Sequence, residues 1–218
     1  MTDARLQTAS DALWDRWQRG ERIAALPEDL RPRTREEGYA VQARLEPRSA
    51  SPIVGWKIAA TSTAGQAHIN VDGPLAGRLL AERVFESGSR LRFGNNHMRV
   101  AEAEFAFRMA VHVPPRAAPY SVDDVLARVA TLHPAIEVPD SRYIDFTAVG
   151  EAQLIADNAC AHEFVLGPPA SDAWRSIFRR APHVTALTTC WPLWPRCIRP
   201  LKCRTRATRT SPSSARRS

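Results

Sequence analysis

Sixteen consecutive positions, Met98 to Val113, alternate in period two. One face of the implied strand carries Ala101, Ala103, Phe105, Phe107, Met109, Val111 and Val113, all apolar; the other carries Val100, Glu102, Glu104, Ala106, Arg108, Ala110 and His112. Such a run predicts a long β-strand with its first face buried. Elsewhere the period is helical. Leu6, Ala9, Leu13 and Trp17 recur three or four apart before Gly20, which predicts a helix over 4–19. Thr34 and Glu37 form a capping-box pair that opens a helix running to about Leu45. Ile53–Ala59 reads as a strand, with another near Arg83–Phe85. Ser121 and Asp124 cap a helix whose stripe is Val122, Val125, Leu126 and Val129. Glu137 follows on an extended segment, inside the apolar run Pro134 to Pro139.

Charge divides the chain. The net charge is +7, but residues 173–218 hold ten Arg, one Lys and no acid, so the rest carries 19 basic against 23 acidic residues, a charge of −4. From residue 177 on, the run dense in Arg, Pro, Ser and Thr shows neither period and is expected to bury too little apolar surface to offset its ordering entropy. Two readings stand for it: an out-of-frame C-terminus, or a basic arm for nucleic acid in which Trp174, Trp191 and Trp194 stack on bases. Of four cysteines only Cys160 lies in the body, which suits a reducing cytoplasm. No run approaches the ~20 apolar residues of a membrane span, and no apolar signal core follows Met1, so a cytoplasmic location is expected.

Candidate chemistry centres on the strand. Residues two apart on a strand project the same way, roughly 6–7 Å apart at Cα, so Glu102 and Glu104 share one space. A divalent cation relieves their repulsion, and oxygen-only ligands favour magnesium, manganese or calcium. Glu137 offers a third carboxylate; an ordinary solvated strand face is the alternative. Lys57, inside an apolar strand, is an acid–base candidate if buried, or else a lysine that reaches solvent along its stem.

Five segments occur in one order: Gly55-Trp56-Lys57-Ile58, Gly73-Pro74-Leu75-Ala76-Gly77, Arg99 to Glu104, Pro134-Ala135-Ile136-Glu137, and Ala156-Asp157-Asn158-Ala159. Together they resemble the 2-keto-4-pentenoate hydratases of the fumarylacetoacetate hydrolase superfamily, over roughly residues 1–175. The resemblance implies an α+β fold, a mixed β-roll with N-terminal helices and an incomplete C-terminal part. It implies a helical segment over 1–50 and a partial catalytic roll over 51–176, and the composition adds a disordered basic tail over 177–218. It implies Mg²⁺ or Mn²⁺ on Glu102, Glu104 and Glu137, catalysis by Lys57, and substrate contacts at Ile69, Asp157, Asn158 and Cys160. The implied reaction adds water to a 2-hydroxy-2,4-dienoate in aromatic ring catabolism; oxalocrotonate decarboxylation and acylpyruvate hydrolysis are alternatives. The partner is then a small 2-oxo or 2-hydroxy dienoic acid, in a homo-oligomer, with no membrane or nucleic acid. Leu75 and Cys160 stand where some hydratases carry an acid and a serine. The tail lacks the Thr-Gly-rich strands of that family, so weak metal binding and little turnover are expected of this chain.

Overall fold

The computed structural model describes residues 1–50, 52–94, 96–180 and 189–191. Helix α1 (Asp3–Arg19) starts at Thr2, whose hydroxyl accepts the Arg5 N–H, and stops at Gly20, which takes φ 66°. Its buried residues Ala9, Leu13 and Trp17 are four apart, as the apolar period predicted. Helix α2 (Arg35–Gln42) starts at Thr34, which accepts the Glu37 N–H at 3.2 Å. The Glu37 carboxylate interacts with the Thr34 backbone in return, and it also takes the Arg33 N–H at 2.8 Å and pairs with the Met1 ammonium. The chain then tightens into a 3₁₀ turn over Ala43–Arg48 that contains Pro47, so the α-helix ends before Leu45.

The remaining elements are β1 (Gly55–Ala59), α3 (Thr63–His68), β2 (Leu75–Leu79), β3 (Val84–Glu86), β4 (Glu102–Met109), α4 (Val122–Leu126), β5 (Val129–Val138), α5 (Glu151–Ala156), β6 (Glu163–Leu166), α6 (Trp174–Arg180) and β7 (Thr189–Trp191). The strands form one mixed sheet in the order β2-β1-β7-β4-β5-β6-β3. The fold is α+β. Among the described residues no helix is long and apolar enough to cross a membrane.

Several expectations change. The predicted strand Met98–Val113 is shortened to β4, eight residues. Its apolar face is buried only in part: Phe107 is fully buried, whereas Phe105 is 48% exposed and Ala103 is exposed. Phe107 lies under Leu126, Val129, Leu132 and Trp174. One step along the same face, Phe105 meets the edge of Phe178, which itself packs against the Phe107 cluster. Burial here follows the reach of α4 and α6, which the period cannot show. On the opposite face Ala106, assigned to the polar side, is 1% exposed and packs with Leu79, Ala135 and Phe164. The capping box at Ser121 is present, but its helix stops at Leu126 and Val129 opens β5 instead. Strand β2 and helix α3 were not foreseen.

The expected disorder from residue 177 does not hold at its start. Helix α6 runs to Arg180, and Phe178 packs edge-on against Phe105, Phe107 and Trp174. Strand β7 inserts between β1 (antiparallel) and β4 (parallel). The rest of the predicted tail, 181–188 and 192–218, lies outside the described residues.

Candidate metal and acid–base site

Strands β4 and β5 pair antiparallel with Glu102 opposite Glu137 and Glu104 opposite Ala135. Opposed residues share a face, so the register brings all three carboxylates to one side of the sheet. One carboxylate oxygen from each of Glu102, Glu104 and Glu137 lies within 4.8 Å of the others. Glu137 is buried, Glu104 half-buried and Glu102 exposed, so the cluster is open on one side.

Lys57 reaches the same point from β1. Through β7, Lys57 aligns with Thr189 and Thr189 with Ala106, which sets the lysine on the carboxylate face. Its Nζ lies 3.0 Å from Glu137 Oε1 and both side chains are under 5% exposed. The lysine is therefore buried and paired; the alternative of a solvent-reaching side chain fails. Burial disfavours its ammonium, but the charge of Glu137, helped by Glu102, outweighs that and raises its proton affinity. Burial pushes the Glu137 carboxyl up to about 7; Lys57 opposes the rise while Glu102 and Glu104 add to it. Three oxygen-only acids crowded in this way fit a hard divalent cation.

Of the other implied contacts, Ile69 and Cys160 share an apolar cluster with Tyr39, Leu75, Leu154 and Ile155. Burial drives the Cys160 thiol up to about 12, so it stays neutral. Leu75 is fully buried in that cluster. Asp157 and Asn158 are committed to the protein instead. Asp157 accepts from the Ser141 hydroxyl at 2.7 Å and the Arg142 N–H at 3.0 Å, and it is ion-paired with the Arg142 guanidinium. The Asn158 amide straddles β2: its Oδ1 accepts the Arg78 N–H at 2.6 Å and its Nδ2 donates to the Arg78 carbonyl at 2.9 Å.

Asn158, Ala159 and Cys160 have φ of 57°, 48° and 62°, three non-glycine residues in a row in the left-handed region. Such a conformation costs on the order of 1–2 kcal/mol per residue, less for Asn. It persists where surroundings over-determine it. Gly77 on β2 backs the turn: a Cβ there would lie 2.4 Å from the Asn158 carbonyl oxygen and 3.2 Å from Lys57 Cγ. Asp140 ties the loop before β4 to the end of β5 by accepting the His97 N–H at 3.0 Å. The roles of Arg142, Gly77 and Asp140 were not foreseen. The only available signal was an Asp-Ser-Arg string directly after an apolar strand. Two surface cavities, ≈ 540 Å³ beside Met1 and Arg33 and ≈ 310 Å³ beside Ile144 and Gln153, are lined by none of Glu102, Glu104, Glu137 or Lys57.

No family model matches the chain. It is 28% identical over 170 residues to a 2-keto-4-pentenoate hydratase of Paraburkholderia xenovorans (strain LB400), covering 77% of this chain and 62% of that protein. It is 32% identical over 151 residues to 2-keto-4-pentenoate hydratase 1 of Dechloromonas aromatica (strain RCB), covering 68% and 56%. The fold matches a solved 4-oxalocrotonate decarboxylase of Pseudomonas putida G7, complexed with magnesium and adipate, with a TM-score of 0.66 at 26% identity, over 78% of this chain and 65% of that one. The resemblance to hydratases carried by the five motifs is borne out. The chain spans about three fifths of the length of the relatives it matches.

Proposed function

We propose that this chain carries the metal-dependent site of a hydratase that adds water to a 2-hydroxy-2,4-dienoate, giving a 4-hydroxy-2-oxo acid. The carrying observation is the meeting of Glu102, Glu104 and Glu137 within 4.8 Å, with buried Lys57 on Glu137. The three glutamates hold Mg²⁺ or Mn²⁺, as the all-oxygen donor set favours. A bound dication supplies positive charge where the reaction builds negative charge on the substrate oxygens. The chain's own acid–base group is Lys57. It enters as the ammonium and is the proton donor at Nζ. One proton leaves the substrate 2-hydroxyl and one arrives at C5, converting the dienol to a conjugated 2-oxo acid. Water then gives hydroxide to C4 and a proton to C3. Cys160, near enough to act on the charge of Lys57, and Ile69 in the same apolar cluster supply the apolar wall for the substrate, and Asp157 and Asn158 hold that wall in place.

In this reading residues 1–50 brace a β-roll of the superfamily type, the roll extends past residue 176 to include α6 and β7, and the assembly is a homo-oligomer in the cytoplasm. A second reading is favoured by two solved neighbours, both 4-oxalocrotonate decarboxylases. One assay separates the two. Purified chain with Mn²⁺ is given a 2-hydroxypentadienoate or an oxalocrotonate. Metal-dependent loss of dienoate absorbance without CO₂ supports the hydratase. CO₂ release from oxalocrotonate supports the decarboxylase. The tail lowers the expected rate below that of a relative with the full roll, and no Mn²⁺-dependent turnover of either substrate at all, with Mn²⁺ bound, overturns both.

A further inference from the structure

Arg142 is one of the largest fully buried side chains, and its fork is spent on one object. Nε pairs with Asp157 Oδ1, one terminal nitrogen with the Asp157 carbonyl, and the other donates to the Asp140 carbonyl at 2.9 Å. Its guanidinium also lies over the Trp17 ring, 4.5 Å from the centroid. Asp157 is the residue before the left-handed turn Asn158–Cys160. The far end of that turn is closed by the Asp140 N–H, which donates to the Cys160 carbonyl at 2.9 Å. Asp140 in turn lies three residues past Glu137 on the chain leaving β5. Gly77 separates the turn from the lysine with no room to spare: a Cβ there would lie 2.4 Å from the Asn158 carbonyl oxygen and 3.2 Å from Lys57 Cγ, and Cys160 at the end of the turn is close enough to act electrostatically on the lysine.

We infer that Arg142 is a positioning residue for the Lys57–Glu137 pair, holding the left-handed turn beneath Lys57 through its fork onto Asp157 and Asp140. This rests on the reaction proposed above only for its turnover readout. Left-handed residues in series relax once their restraints go. A relaxed turn withdraws Cys160 and Asn158 from the lysine stem, while the three metal-binding glutamates stay paired on β4 and β5.

The test uses the full chain with Cys190, Cys197 and Cys203 changed to Ser, which leaves Cys160 as the single thiol. Arg142→Met with Asp157→Asn removes both buried charges together, a change that folded proteins tolerate better than loss of one partner. The folded double variant should react with an aromatic disulfide reagent at Cys160 at least ~10-fold faster than the parent, as local opening grows. Mn²⁺ affinity by calorimetry should change less than ~threefold, while kcat falls at least ~10-fold with KM little altered. If the double variant does not fold, Arg142→Lys, which keeps the charge but not the fork, is read in the same way. Parental labelling and parental kcat in either folded variant overturn the inference. If the parent itself turns over no dienoate, the proposed reaction fails, and the labelling rate still decides whether Arg142 holds the turn.

Discussion

The close approach of β2 to the turn at 158–160 makes Gly77→Ala a quantitative probe of the site. The new Cβ would lie 2.4 Å from the Asn158 carbonyl oxygen and 3.1 Å from the Ala161 Cβ. The first contact is to backbone, so no side chain can rotate away. Ordinary contact requires an opening of roughly 1 Å. That movement stretches the two hydrogen bonds between the Asn158 amide and the Arg78 backbone, now 2.6 and 2.9 Å, beyond useful length. Overpacking costs about 1–3 kcal/mol, and buried groups left without partners add about 1–3 kcal/mol. The reduced freedom of the unfolded chain returns about 0.4–1 kcal/mol. The net loss is about 1–5.5 kcal/mol, centred on ~3 kcal/mol, which corresponds to a fall in Tm of roughly 6–12 °C for a chain of this size. Gly73→Ala is the control, since nothing lies within 4 Å of a Cβ there. It should be neutral or slightly stabilising. Urea unfolding followed by tryptophan fluorescence gives both values. A Gly77→Ala loss below about 1 kcal/mol, or one equal to that of Gly73→Ala, would refute the packing argument.

Three further outcomes follow from the site. Glu104→Gln should weaken Mn²⁺ binding at least ~10-fold by calorimetry, a loss of ~1.4 kcal/mol or more; unchanged affinity removes Glu104 from the ligand set. Lys57→Met should lower kcat at least ~100-fold while Mn²⁺ affinity stays within ~threefold; equal loss of both would assign the lysine a structural role. His162 accepts the Trp17 indole N–H at 2.7 Å, and burial, then Arg142 and Arg83, hold its pKa down to about 4 against an ordinary 6.5. Its contribution is thus fully present above pH 6.5 and lost as pH falls through 4, by up to ~3 kcal/mol. His162→Gln should flatten the stability–pH curve across that window, and a slope identical to the parent's would remove His162 as its source.

The amino-acid sequence alone determined what is local in the chain. Helix starts at Thr34 and Ser121 are legible because a side-chain oxygen caps an amide three residues on. Glu102 and Glu104 could be set on one face because strand side chains alternate whatever the strand pairs with. The five motifs likewise carried the resemblance before any contact was known. Only the tertiary structure decided which strands are neighbours. The pairing of β4 with β5 in a register that sets Glu102 opposite Glu137 joins residues 35 apart in sequence, and no periodicity encodes a register. The state of Lys57 was equally hidden: the same strand pattern permits an exposed amine, and burial beside Glu137 requires β1 and β5, far apart in sequence, to lie in one sheet. Phe105 and Phe107 look alike in the pattern and differ in the fold: both meet Phe178 of α6, but Phe107 is also enclosed by Leu126, Val129, Leu132 and Trp174. The turn at Asn158–Cys160 carries no glycine to announce its left-handed backbone. Its conformation is imposed by Arg142, Asp140 and the edge of β2, and restraint by remote partners is a property of the folded chain alone.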